Sequence, residues 1–176
     1  AGEGRGATFE VRLPLLEYAA ARGETTPADT ERQQAGAAKL AERQAALGGL
    51  RILIVEDEPD ARLLLRKALE RYGATVVACE LAGEALTALE HSSFDCILSD
   101  IAMPGEDGYT FIERLRERDA ARGDAMTPAI AFTAYAREED RERALAAGFQ
   151  LHLAKPTTPK ELAEAVATVV GRTLNV

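Results

Sequence analysis

Across the C-terminal part of the chain, short apolar runs alternate with longer amphipathic stretches, and the alternation repeats five times. The runs are apolar on both sides, which is typical of parallel strands that helices cover on both faces. Gly73, Gly148 and Gly171 follow three of the amphipathic stretches, where helices commonly end. Pro59 and Pro159 stand where a first helical turn tolerates proline. The pattern therefore predicts an α/β fold with five strands and five helices.

The predicted strands are Arg51–Glu56, Thr75–Cys79, Cys96–Ser99, Ala129–Thr133 and Gln150–Ala154. The predicted helices are Pro59–Arg71, Ala82–His91, Tyr109–Arg118, Arg137–Ala147 and Pro159–Val170. Right-handed crossovers arrange such elements as a doubly wound parallel sheet, here with the strand order 2-1-3-4-5. Sheets of this kind carry their functional residues beyond the carboxyl ends of the strands.

The N-terminal part of the chain has a different character. Residues 19–49 are rich in alanine, glutamine and charge, which predicts a linker that is either a polar helix or irregular. Thr8–Leu16 has the pattern of one strand, which cannot bury its apolar side alone. We therefore expect residues 1–18 to be the end of another domain, residues 50–171 the α/β domain, and residues 172–176 a tail.

Composition narrows the classes of function. The formal net charge is −8, and no stripe of lysine and arginine predicts contact with nucleic acid. No apolar run reaches the roughly 18 residues of a membrane-spanning helix, so we expect no direct membrane contact. Cys79 and Cys96 lie in apolar segments without metal-ligand spacing, as reduced core residues do. These features favour a cytoplasmic domain, and they leave open a membrane anchor elsewhere in a longer parent protein.

Polar side chains lie at the carboxyl ends of four of the predicted strands. Glu56 ends the first strand and Asp57 follows it, Asp100 follows the third, Thr133 ends the fourth, and Lys155 follows the fifth. The first and third strands are neighbours, so Asp57 and Asp100 should converge. A divalent cation with oxygen ligands, most simply Mg²⁺, would relieve the repulsion between such carboxylates. A carboxylate can also attack phosphorus, while an ammonium group and a hydroxyl stabilise the transferred oxygens.

Four segments together closely resemble the receiver domain of two-component response regulators, namely Ile52–Pro59, Ser99–Gly108, Thr133–Ala134 and Lys155–Pro156. The resemblance implies a flavodoxin-like fold and a phosphorylation switch in a phosphorelay. It implies that Asp100 accepts a phosphoryl group from a phosphohistidine.

The resemblance also implies roles around this acceptor. Mg²⁺ would be bound by Asp57, Asp100 and the backbone carbonyl of Ala102, with Glu56 acting through a metal-bound water. Lys155 would contact the phosphoryl oxygens.

Further residues are implied to take part in switching. Thr133 would move inward on phosphorylation and shift the surface of the fourth helix, fifth strand and fifth helix. The Lys155 to Pro156 bond would be cis. His152 stands where the family usually has tyrosine or phenylalanine, and it is either a switch residue that titrates near neutrality or an ordinary strand residue. Tyr135 either shields the acyl phosphate from water or covers the sheet edge.

The run Gly2–Pro14 looks like the last glycine box and final strand of a histidine-kinase ATPase domain. This second resemblance implies the C-terminal part of a hybrid histidine kinase, which lacks kinase machinery of its own and ends without an output domain. Its donor would be the phosphohistidine domain of a kinase, and a histidine phosphotransfer protein is a candidate second partner. Whether the receiver forms a homodimer is left open.

Three alternatives compete with the phosphoacceptor. A pseudo-receiver used only for docking is expected to lack Asp57, Asp100 or Lys155, and all three are present. A flavin binder would need a hydroxyl-rich phosphate loop where Glu56 to Glu58 stand. An aspartate-nucleophile phosphatase typically needs a second aspartate where Ala102 stands.

Overall fold

The computed structural model describes residues 46–123, 125–134 and 137–172. Within these ranges the chain forms one parallel sheet with the strand order β2-β1-β3-β4-β5, flanked by helices. The predicted fold class and strand order are therefore confirmed. The predictions that concern the strand Thr8–Leu16, most of the linker, Tyr135 and residues 173–176 lie outside the described residues.

The strands are β1 (Arg51–Val55), β2 (Thr75–Cys79), β3 (Cys96–Asp100), β4 (Ala129–Thr133) and β5 (Leu151–Ala154). The helices are α1 (Pro59–Glu70), α2 (Ala82–His91), α3 (Gly108–Arg122), α4 (Glu138–Ala147) and α5 (Pro159–Val169). None of the helices in the described ranges is long and apolar enough to cross a bilayer.

The predicted element ends agree with the structure to within one residue, except at the end of α3. This helix continues to Arg122, whereas the sequence predicted an end at Arg118. The last turn carries no bulky apolar residue, so the apolar pattern stops early, although Asp119 is buried there. Gly123 adopts the left-handed conformation, with φ of 68°, and ends the helix.

The sheet is buried on both faces. On one face, Ile52 and Ile54 of β1 pack in a cluster with residues of α1 and α5. On the other face, Leu53 and Val55 pack in a cluster with residues of α2, α3 and α4. Because side chains alternate along a strand, β1 contributes to both clusters, and the two layers of helices fix the carboxyl ends of the strands.

The segment before β1 belongs to the same core. Leu47 and Leu50 are buried in the cluster that includes α1 and α5. The amide of Leu47 also donates to the carbonyl of Tyr72, at 2.8 Å. Packing of the α/β domain therefore begins before the predicted boundary at Leu50. Cys79 and Cys96 are free and buried, as predicted, and burial raises the pKa of Cys96 to about 12.

Candidate functional site

The predicted site residues meet at the carboxyl edge of the sheet. Glu56 and Asp57 follow β1, Asp100 ends β3, Thr133 ends β4, and Lys155 follows β5. The registers align these ends, because Val55 pairs with Ser99, Asp100 with Phe132 and Thr133 with Ala154. The amide of Lys155 donates to the carbonyl of Thr133, at 2.8 Å, which extends the ladder by one residue. The winding of the sheet thus brings together residues that are far apart in the sequence.

Three carboxylates form a compact acidic cluster, which consists of Glu56, Asp57 and Asp100. One oxygen of each lies within 4.8 Å of the others. Glu56 is only 1% exposed and Asp100 only 7% exposed. Burial raises the pKa of Glu56 above its usual 4.5, and the charges of Asp100 and Asp57 act in the same direction, although Lys155 opposes them. The ionised cluster is therefore incompletely neutralised by the protein.

Lys155 is a cation that contacts this cluster. Its Nζ lies 2.7 Å from Oε2 of Glu56 and 2.8 Å from Oδ2 of Asp100. Burial alone would lower the pKa of Lys155, but the hydrogen bonds to Asp100 and Glu56 outweigh it, and the pKa is raised above its usual 10.5. Lys155 is accordingly protonated at neutral pH, and its ammonium group contacts two of the three carboxylates.

Asp100 is held in a defined orientation by the loop that follows it. Its Oδ1 accepts hydrogen bonds from the amides of Ile101, at 2.6 Å, and Ala102, at 3.2 Å, while Oδ2 faces Lys155. The loop then turns back, and the amide of Gly108 donates to the carbonyl of Ile101, at 2.9 Å. A Cβ atom at Gly108 would overlap the carbonyl oxygen of Asp100, so this close approach requires glycine.

The acidic cluster fits a hard divalent cation. Its donors are all oxygen atoms, which Mg²⁺ and Ca²⁺ prefer, and Mg²⁺ usually takes one or two carboxylates and keeps several waters. The mutual distances of at most 4.8 Å allow the carboxylates of Glu56, Asp57 and Asp100 to approach a single ion. The predicted fourth ligand, Ala102, lies directly beside Asp100 through its amide. A bound cation would also relieve the repulsion from Asp100 and Asp57, which adds to the effect of burial on the pKa of Glu56.

The predicted switch residues occupy the neighbouring strands. Thr133 is fully buried at the end of β4. The Lys155 to Pro156 bond is cis, as predicted. His152 lies on β5 opposite Ala131, and its Nε2 is buried without a hydrogen-bond partner among the described residues. The switching roles of Thr133 and His152 stay predictions, as does that of Tyr135.

Sequence reasoning missed Arg62, in the first turns of α1. Its Nη1 donates to the carbonyl oxygens of Glu56, at 2.6 Å, and Asp57, at 3.0 Å. Its Nη2 donates to Oε2 of Glu80, at 3.2 Å. A signal was available, because helical side chains lean towards the helix N-terminus, and an arginine here can reach back to the acidic loop.

Comparisons with known proteins agree with this geometry. The sequence model of the response regulator receiver domain matches residues 52–167. A 14.6 kDa protein from the sodA1 3′ region of Leptolyngbya boryana is 49% identical over 116 residues, which are 66% of this chain and 86% of that protein. The sensor protein GacS of Pseudomonas syringae pv. syringae is 36% identical over 124 residues. That match covers 70% of this chain but 14% of GacS.

Solved structures include the receiver domain of sensor histidine kinase PA1611 from Pseudomonas aeruginosa PAO1, which was crystallised with a magnesium ion in its active site cleft. It is 33% identical, with a TM-score of 0.63, and the match covers 70% of this chain and 99% of that one. The shared strand order, the converging carboxylates and the family match lead to one conclusion. This chain belongs to the response regulator receiver domain family of two-component systems.

Proposed function

We propose that this receiver domain is a phosphoacceptor switch, which takes a phosphoryl group from a phosphohistidine onto Asp100 with the help of Mg²⁺. One observation carries the proposal: the buried carboxylate of Asp100 lies 2.8 Å from the ammonium group of Lys155 and within 4.8 Å of two further carboxylates. This arrangement supplies a nucleophile, a fixed positive charge and a set of oxygen ligands at one edge of the sheet.

In the proposed reaction, an oxygen of Asp100 attacks phosphorus as the bond between phosphorus and the histidine nitrogen breaks. That nitrogen keeps the electron pair, takes up a proton and leaves as neutral imidazole. Lys155 exchanges its hydrogen bond with Asp100 for one with a phosphoryl oxygen, and Thr133 is expected to donate its hydroxyl. Bound Mg²⁺ would neutralise the charge of the carboxylates and of the transferred oxygens.

The proposed donor is the phosphohistidine domain of a histidine kinase, and the proposed parent is a hybrid histidine kinase. The sensor protein GacS supports this, because this chain matches a small part of that longer protein. An apolar cleft of about 270 Å³ lies beside Lys155, lined in part by Ala61, Leu64 and Pro156. Leu64 is 67% exposed, so the cleft offers a surface for a donor domain. Two free cysteines suit a reducing cytoplasm.

The test is the mass of the intact protein after incubation with Mg²⁺ and acetyl phosphate. The parent should gain one labile phosphoryl group, and the gain should require Mg²⁺. Asp100→Asn should show none. The matched control is Asp107→Asn, in the same loop, because asparagine still caps α3 and the acceptor is kept.

Equal gain in Asp100→Asn and the parent would disprove the role of Asp100. No gain in a folded parent would instead favour the docking-only alternative, in which the acidic cluster has no phosphoryl chemistry.

A further inference from the structure

We propose that Arg62 is a positioning residue for the metal site, which holds the backbone of Glu56 and Asp57 so that their carboxylates face the cation. This inference rests on the proposed function, because it concerns the same Mg²⁺ site. It adds a residue that contacts neither the phosphoryl group nor the three carboxylates of the acidic cluster.

Arg62 holds the loop after β1 through three hydrogen bonds. Its Nη1 lies 2.6 Å from the carbonyl oxygen of Glu56 and 3.0 Å from that of Asp57, so a single nitrogen bridges two successive peptide groups. Its Nη2 binds Glu80, which follows β2, at 3.2 Å. The guanidinium therefore ties the loop after β1 to both α1 and the end of β2.

Holding two carbonyl groups and Glu80 at once requires the planar arrangement of donors in a guanidinium group. Arginine presents several donors in a rigid plane, whereas lysine offers one ammonium group on a flexible stem. The Arg62 side chain is only 19% exposed, so water does not readily replace these hydrogen bonds. Residues that orient metal ligands typically change metal affinity by roughly 10- to 100-fold when they are replaced.

A positioning role and a purely electrostatic role predict opposite results. A positive charge near a cation site disfavours the cation, so loss of Arg62 would tighten Mg²⁺ binding if charge alone mattered. If Arg62 positions the ligands, its loss weakens binding instead. The direction of the change therefore separates the two roles.

Arg66 provides a matched control on the same helix. It lies one turn further along α1, where its Nε pairs with Glu70 at 2.7 Å, and its side chain is 51% exposed. Arg66→Gln removes the same charge from the same helix without touching the acidic loop.

The experiment measures the dissociation constant of Mg²⁺ by calorimetry for the parent, Arg62→Gln, Arg62→Lys and Arg66→Gln. The rate of phosphorylation by acetyl phosphate is then followed against Mg²⁺ concentration. Arg62→Gln should raise the dissociation constant and the half-saturating Mg²⁺ concentration about tenfold. Its rate at saturating Mg²⁺ should stay close to that of the parent. Arg62→Lys should fall between the two, and Arg66→Gln should match the parent.

Unchanged or tighter Mg²⁺ binding in Arg62→Gln would overturn the inference. So would a lower rate at saturating Mg²⁺ with an unchanged half-saturating concentration, because that pattern indicates a general defect. If Arg62→Gln does not fold, Arg62→Lys decides by the same criteria. A parent that binds no Mg²⁺ would contradict the proposed function itself, which is a distinct outcome.

Discussion

Buried carboxylates lie at both ends of the sheet, but their surroundings differ. At the amino end, the Asp119 side chain of α3 is 4% exposed and pairs with Arg116, at 3.3 Å, and Arg118, at 4.0 Å. At the carboxyl end, Glu56 and Asp100 share the single ammonium group of Lys155. At the amino end, two arginines pair with one carboxylate. At the carboxyl end, one ammonium group is present for the three carboxylates of the acidic cluster.

Further hydrogen bonds hold the amino end together. Arg116 donates through Nε to the carbonyl of Gly148, at 3.0 Å, and through Nη2 to Oε1 of Gln150, at 3.2 Å. The same Oε1 accepts from the amide of Ala129, at 2.7 Å. The Arg116 side chain thereby joins α3 to the segment that precedes β5, and Gln150 links that segment to the first residue of β4.

This difference in charge neutralisation indicates the role of each end of the sheet. A buried charge that the chain neutralises by itself needs nothing further and serves the fold. A buried group of like charges that the chain leaves partly unneutralised takes up a proton or a cation from solution, and such sites are typically functional. Replacements at the amino end should therefore change stability, and replacements at the carboxyl end should change chemistry.

The largest effect is expected at the carboxyl end. Lys155→Met shortens the side chain by one heavy atom and removes the charge that is proposed to face the transferred oxygens. The rate of phosphorylation by acetyl phosphate at saturating Mg²⁺ should fall about a hundredfold, as when one such donor is lost. The decay of free acetyl phosphate and the mass of the protein measure this rate. A rate equal to that of the parent would show that Lys155 has no role in transfer.

A smaller effect, on stability alone, is expected at the amino end. Asp119→Asn leaves Arg116 with an unpaired charge beside the core, so the free energy of unfolding should fall by about 2 kcal/mol. Urea unfolding measures it. The control is Glu138→Gln, because Glu138 and Arg141 form a pair whose side chains are 68% and 54% exposed. That control should change stability by less than about 1 kcal/mol. A strong loss of phosphorylation in folded Asp119→Asn would contradict the claim that the amino end serves stability alone.

The two ends also differ in how well the sequence predicts them. The acidic cluster was predictable, because the topology rule places polar residues after parallel strands at one edge. The strands were also predictable, because helices cover both faces of the sheet and every strand is therefore a mostly apolar run of residues. The amino-end network was not predictable, because Asp119 lies among polar residues and its partner Arg116 bonds to Gly148 and Gln150, which are distant in the sequence. Arg62 was missed because two of its three hydrogen bonds go to backbone carbonyls and the third goes to Glu80, which lies 18 residues away.

The smallest predicted effect concerns Asp107, whose carboxylate is stabilised by a hydrogen bond and not by a cation. Asp107 caps α3, and the hydrogen bond from the amide of Thr110, at 2.8 Å, lowers the pKa of Asp107 from its usual 3.8. The stability that Asp107 contributes is present above pH 3.8 and is lost as the pH falls through the folded pKa. Asp107→Asn should therefore flatten the acid side of the stability profile by less than about 0.5 kcal/mol. An unchanged slope in acid titrations would contradict this cause.

We propose that the acidic cluster requires a cation and that the amino end does not. The most direct measurement is the free energy of unfolding against Mg²⁺ concentration for the parent, Asp57→Asn and Asp119→Asn. The parent should gain about 2.7 kcal/mol when Mg²⁺ reaches a hundred times its dissociation constant. Asp119→Asn should start lower and gain as much, whereas Asp57→Asn should gain little and be no less stable than the parent without Mg²⁺. A parent that gains nothing, or an Asp57→Asn variant that gains as much as the parent, would contradict the account.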